Sequence, residues 1–129
     1  MNDAERHAQG MTARREVLGD AHVDRAVAGT TEFTAPFQDF ITRYAWGEIW
    51  SRPGLTRPER SMITLTALIV LGKEEELAMH LRAALRNGLS VEKIREVLLN
   101  AAIYAGVPAA NLAFAVAKRV IEEVEKENG

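Results

Sequence analysis

Apolar residues recur along this chain every three to four positions, and nowhere do they alternate with polar ones over any length. The first spacing buries one face of a helix; the second would bury one face of a strand. Helices are therefore predicted from end to end. The first runs from about Asp3 to Leu18 and stops at Gly19. The second covers DAHVDRAVAG, with Asp20 as its N-cap and Gly29 near its stop. A third starts near Thr34 or Ala35 and continues through PFQDFITRYAWG. SRPGLTRP reads as a loop, punctuated by Pro53-Gly54.

A fourth helix opens at TRPE, where Thr56 and Glu59 have capping-box spacing, and ends at Leu71-Gly72. The fifth, EEELAMHLRAALRNG, starts at Glu74 and closes at Asn87-Gly88. Ser90 caps the sixth, VEKIREVLLNAAIYA, whose apolar positions are Ile94, Val97, Leu98 and Ala101. GVP then breaks the chain, and Pro108 suits the first turn of a seventh helix. Loops are short and no linker is visible. The expected architecture is an all-α bundle of six to seven helices, one domain over residues 1–129. The alanine-rich sixth and seventh helices carry apolar faces that look wider than one small core needs, which reads equally as surface buried in a homo-oligomer or as two central helices of the bundle.

Composition narrows the function. With 129 residues and 47% hydrophobic content the chain can fill one sizeable core. A net charge of −2 gives nucleic acid and anionic membrane surfaces little to hold. The absence of cysteine excludes disulfides, thiolate nucleophiles and cysteine-bound zinc, and fits a reducing cytoplasm. The first residues are too polar for a signal peptide, and Met62–Leu71 is too short to span a bilayer.

Three clusters could carry chemistry. On the fifth helix His80 lies at the edge of the stripe Leu77, Ala78, Leu81, Ala84 and Leu85, one turn after Glu76. The pair reads either as a structural salt bridge or as a carboxylate tuning a working imidazole. RYAWGEIWSRPGL gathers Tyr44, Trp46, Glu48, Trp50 and Arg52 beside a loop, as core anchors or as the walls of a small-molecule site. Arg52, Arg57 and Arg60 could grip carboxylates, or simply solvate a helix start. His22 lies between Asp20 and Asp24 without a metal-binding spacing. Helices five and six also have a helix-turn-helix outline, but the outward residues of the sixth mix Glu92 and Glu96 with Lys93 and Arg95.

RREVLGDAHVDRA, YAWGEIWSRPGL and the run from Arg60 to Ala110 together resemble the carboxymuconolactone decarboxylase family, over roughly residues 13–125. The pattern around His80 is shared with the wider alkylhydroperoxidase-like superfamily. Relatives there carry Cys-x-x-Cys ahead of the histidine; Lys73 and Glu76 stand at those positions here, so peroxidatic chemistry is lost. The position of their relay glutamate falls on Ser61, or on Glu59 if a small gap intervenes.

The resemblance implies cofactor-independent loss of CO₂ from a dicarboxylate lactone, without metal, in a homohexamer built as a trimer of dimers. It also implies His80 and Glu48 as catalytic groups, Arg60 and Arg52 on the substrate carboxylates, and Tyr44, Trp46, Trp50 and Glu76 around them. A binding or accessory protein on the same fold is the alternative, since fold does not fix function.

Overall fold

All seven expected helices form in the computed structural model, which describes residues 1–129, and no strand accompanies them. They are α1 (Asp3–Leu18), α2 (Asp20–Ala28), α3 (Ala35–Ile41), α4 (Arg57–Leu71), α5 (Glu74–Arg86), α6 (Val91–Ala105) and α7 (Val107–Asn128). Between α3 and α4 the chain winds as a π-helix over Thr42–Ile49. The chain forms two compact units, Met1–Arg57 and Pro58–Gly129.

In the first unit α1 lies against the π-helical segment at backbone distance. Gly10 and Gly47 make this possible. A Cβ on Gly10 would overlap the Thr42 carbonyl oxygen, and one on Gly47 would overlap the Arg6 carbonyl oxygen. Gln9 Nε2 donates to the Gly47 carbonyl at 3.2 Å across the same contact. Ala13, Val17, Val23 and Trp46 are buried. Arg57 reaches back to pair with Glu16 of α1.

Three boundaries differ from expectation: the third helix, expected to run through Gly47, is α-helical only to Ile41 and continues as the π-helix. Asp20 is not the N-cap of α2. The chain turns at Gly19 with φ 90°, so the helix starts directly after it, without a side-chain cap. The Asp20 carboxylate is held instead by Arg15, at 3.1 Å. The break before α7 is also narrower than GVP: Gly106 alone turns the chain, at φ 98°, and Val107 is already helical.

In the second unit α4 to α7 enclose one core. Leu65 and Ile69 come from α4, Leu77, Leu81 and Ala84 from α5, Ile94 and Leu98 from α6, and Val116 and Val120 from α7. The Ser90 hydroxyl caps α6 by accepting from the Lys93 amide at 3.1 Å. Arg82 of α5 holds Glu123 and Glu127 of α7 at 2.7 and 3.0 Å. No helix is long and apolar enough to cross a membrane.

Candidate active site

His80 stands where the stripe predicts. Its neighbours Leu77, Leu81 and Ala84 are in the core, and the histidine is half-buried with Nδ1 inside. A side chain at such a border can meet a small molecule and still be held by packing. Glu76, one turn earlier, is exposed and outside the ion pairs that Arg82 makes. Arg60 of α4 is half-buried, with Nε inside. Beside it, Ser61 is 1% exposed and accepts a hydrogen bond from Asn87 Nδ2 at 3.2 Å. This buried hydroxyl ties α4 to the end of α5.

The aromatic cluster occupies the π-helical segment and the turn after it. Such segments are rare and recur at functional sites, because the wider turn displaces backbone groups from the α ladder. Trp46 is buried and stacks on Trp50, centroids 5.2 Å apart and planes at 28°. Ser51 Oγ donates to the Trp46 carbonyl at 2.7 Å, and the Trp50 amide donates to the Ala45 carbonyl. Tyr44 is exposed, with Phe40 at 5.5 Å and the guanidinium of Arg6 over its ring at 5.4 Å. Arg52 pairs with Glu48 at 2.9 Å on a largely open surface. In such a position the pair contributes at most about 1 kcal/mol, so exchanging Glu48 for a ligand carboxylate costs little.

Sequence reasoning passed over Arg14. Its α1 positions Gly10, Ala13, Arg14 and Val17 are all buried. Arg14 Nη1 donates to Thr42 Oγ1 at 3.4 Å, and burial lowers the guanidinium pKa from its usual value. His22 lies in its field. Burial first, then the charges of Arg25 and Arg14, push the imidazole pKa below 6.5. Asp20 and Asp24, the acids flanking His22 in sequence, both go to Arg15. No group of three or more His, Asp or Glu side chains is placed to hold a metal ion.

Comparison with known proteins matches residues 35–119 to the sequence model of the Carboxymuconolactone decarboxylase family. A 4-carboxymuconolactone decarboxylase of Acinetobacter baylyi is 47% identical over 124 residues, covering 96% of this chain and 92% of that protein. A nitrosuccinic acid decarboxylase of Metarhizium robertsii is 40% identical over 116 residues, 90% of this chain and 81% of that protein. A 4-carboxymuconolactone decarboxylase of Pseudomonas putida is 48% identical over 48 residues, 37% of this chain and 100% of that sequence.

Proposed function

Because this chain belongs to the carboxymuconolactone decarboxylase family, we propose that it is a carboxy-lyase acting on γ-carboxymuconolactone. The product is β-ketoadipate enol-lactone, in the breakdown of protocatechuate. The observation that carries this reading is the near full-length match to the Acinetobacter decarboxylase, over 96% of this chain.

The substrate supplies its own electron sink. Its γ-carbon bears a carboxylate and a carboxymethyl arm. When the bond to the carboxylate breaks, CO₂ leaves and the electron pair stays on the γ-carbon. The ring double bond carries it to the lactone carbonyl oxygen, giving a furan-like dienolate. A proton then adds at the α-carbon. Nitrosuccinic acid, named for the second relative, contains the same four-carbon diacid with a nitro group as acceptor. A two-carboxylate acid with an acceptor beside the departing group is the common chemistry, and it calls for no organic cofactor or metal.

The protein has to hold two carboxylates, receive charge on the lactone oxygen and deliver one proton. His80 is the proton donor in this reading, supported by its half-buried place at the edge of the α5 core stripe. Glu76 acts only by orienting or tuning it. Glu48 is the second acid–base candidate. Arg60 and Arg52 serve the carboxylates, Arg52 by exchanging its partner Glu48 for substrate. Tyr44, Trp46 and Trp50 exclude water from the departing carboxylate.

The working form is a cytoplasmic homo-oligomer, a trimer of dimers. Supporting this, Ile103, Tyr104 and Val107 are 79%, 83% and 69% exposed. An open groove of about 630 Å³ between α4 and α6 is lined by Met62, Ile63 and Val97. Residues 1–129 as one functional domain fit the family match, which runs unbroken across residues 35–119.

NMR with freshly generated γ-carboxymuconolactone tests the function. The lactone should convert to the enol-lactone with release of CO₂, at a rate unchanged by dialysis against a strong chelator. No turnover of the lactone sinks the reading. Activity lost on dialysis and restored by one particular metal shows that the ring is not the only sink.

A further inference from the structure

Arg14 is a buried cation without a counterion. It leaves α1 on the packed face, between Ala13 and Val17, and 5% of its surface stays open. Its side chain makes one hydrogen bond, to Thr42 Oγ1 at 3.4 Å, which is long for N–H···O. The Thr42 hydroxyl spends its own proton on the Gln38 carbonyl at 2.7 Å, so toward Arg14 it only accepts. Arg14 Nε is buried with no acceptor. The next residue, Arg15, has two carboxylates, Asp20 and Asp24. A guanidinium presents five donors in a planar fork. Packing of the methylene stem could explain the arginine's body but not a buried Nε left without an acceptor. Burying a charge is costly unless it is paired.

We propose that Arg14 is the anchor for a carboxylate of a small diacid, and that in the decarboxylation read above it holds the carboxylate the substrate keeps. This rests on that reading for the choice of carboxylate alone. The departing carboxylate loses its negative charge to the ring as CO₂ forms. A buried cation fixed on it would stabilise the ground state more than the transition state and slow the reaction, so that carboxylate is left to Arg60 and to Arg52, whose open pair with Glu48 can re-form as the charge leaves. The carboxymethyl arm keeps its charge throughout, so a buried cation there adds the same binding to both states. One edge of the fork is enough for a carboxylate to form two parallel hydrogen bonds. Arg14 is thus a binding residue whose removal changes KM rather than kcat.

The field on His22 provides a readout independent of turnover. Arg14 and Arg25 both depress the His22 pKa, so an anion seated on Arg14 must raise it. The test follows the His22 ring proton by NMR across pH, with and without succinate. In the wild type succinate should move the His22 midpoint upward. In Arg14→Met the midpoint should start higher, because one of the two depressing charges is gone, and the succinate response should vanish with the anion's anchor. A wild-type midpoint that ignores succinate overturns the proposal, and this arm stands even if Arg14→Met does not fold. A response that survives in a folded Arg14→Met or Arg14→Gln overturns it too. In turnover of γ-carboxymuconolactone, Arg14→Met should raise KM by roughly 30-fold or more, the loss expected for a buried charge-paired contact, with kcat little changed. A fall in kcat at constant KM overturns the assignment to the retained carboxylate. If the wild type does not decarboxylate the lactone, the functional reading fails, and the succinate response alone decides on Arg14.

Discussion

Gly10 of α1 and Thr42 of the π-helical segment meet without room for a side chain between them: a Cβ on Gly10 would overlap the Thr42 carbonyl oxygen. In an open helix, replacing glycine by alanine stabilises by up to about 1 kcal/mol. Here the sign reverses, because α1 must move off the segment or the backbone must distort. Gly10→Ala should cost about 1–3 kcal/mol, read as a lower midpoint in urea with the slope unchanged. Gly54→Ala has nothing within 4 Å to meet and provides the matched control.

Acid should weaken the fold partly through His22. Burial, then Arg25 and Arg14, hold its pKa in the folded chain below 6.5. As pH falls, the unfolded chain takes the proton first. The stability that His22 contributes is therefore fully present above about pH 6.5 and is lost as pH falls through its folded value. His22→Gln should flatten the dependence of unfolding free energy on pH between roughly 7 and 5. An unchanged slope in urea titrations would show that the histidine is not responsible.

Leu81 sits one residue beyond His80 but is 0% exposed in the core. Leu81→Ala should destabilise by about 2–5 kcal/mol, and any loss of activity should follow the loss of folded protein. Calorimetry on Leu81→Ala beside His80→Ala separates a packing fault from a chemical one.

Helix positions were legible where an apolar stripe met a stop signal, as in α5, where Leu77 and Leu81 and the closing Asn87-Gly88 all stand as read. The π-helical turn was not legible, since Tyr44, Trp46 and Trp50 suit an α-helix as well; the hydrogen bond from the Trp50 amide to the Ala45 carbonyl makes the difference. Asp20 failed as a cap because the chain turns one residue earlier, at Gly19 with φ 90°, which makes Asp20 the first residue of the helix and leaves its carboxylate to Arg15. Arg14 had a signal that went unused. Gly10, Ala13 and Val17 mark the packed face of α1, and that phase puts Arg14, not Arg15, inside. The aromatic cluster and His80 could be named from sequence. Their burial and partners could not, because those depend on which residues the fold brings together across tens of positions.

If the proposed oligomer assembles through α6 and α7, the exposed apolar residues there should be sensitive to an added charge. Ile103 and Tyr104 are 79% and 83% exposed, so Ile103→Glu should leave the isolated fold intact. In light scattering, the wild type should be a multiple of the 14.3 kDa chain and Ile103→Glu should be smaller. A wild type that runs only as a monomer would end the oligomer proposal.

In the proposed reaction His80 delivers the proton to a dienolate formed by loss of CO₂. The most direct measurement is the turnover number of His80→Ala on γ-carboxymuconolactone, with folding and assembly checked on the same sample. Turnover should fall about 10²–10⁴-fold in a folded protein, the usual contribution of a general acid, with a much smaller effect for Glu76→Gln. Near-normal turnover in folded His80→Ala would contradict it, and would turn the search for the proton donor to Glu48.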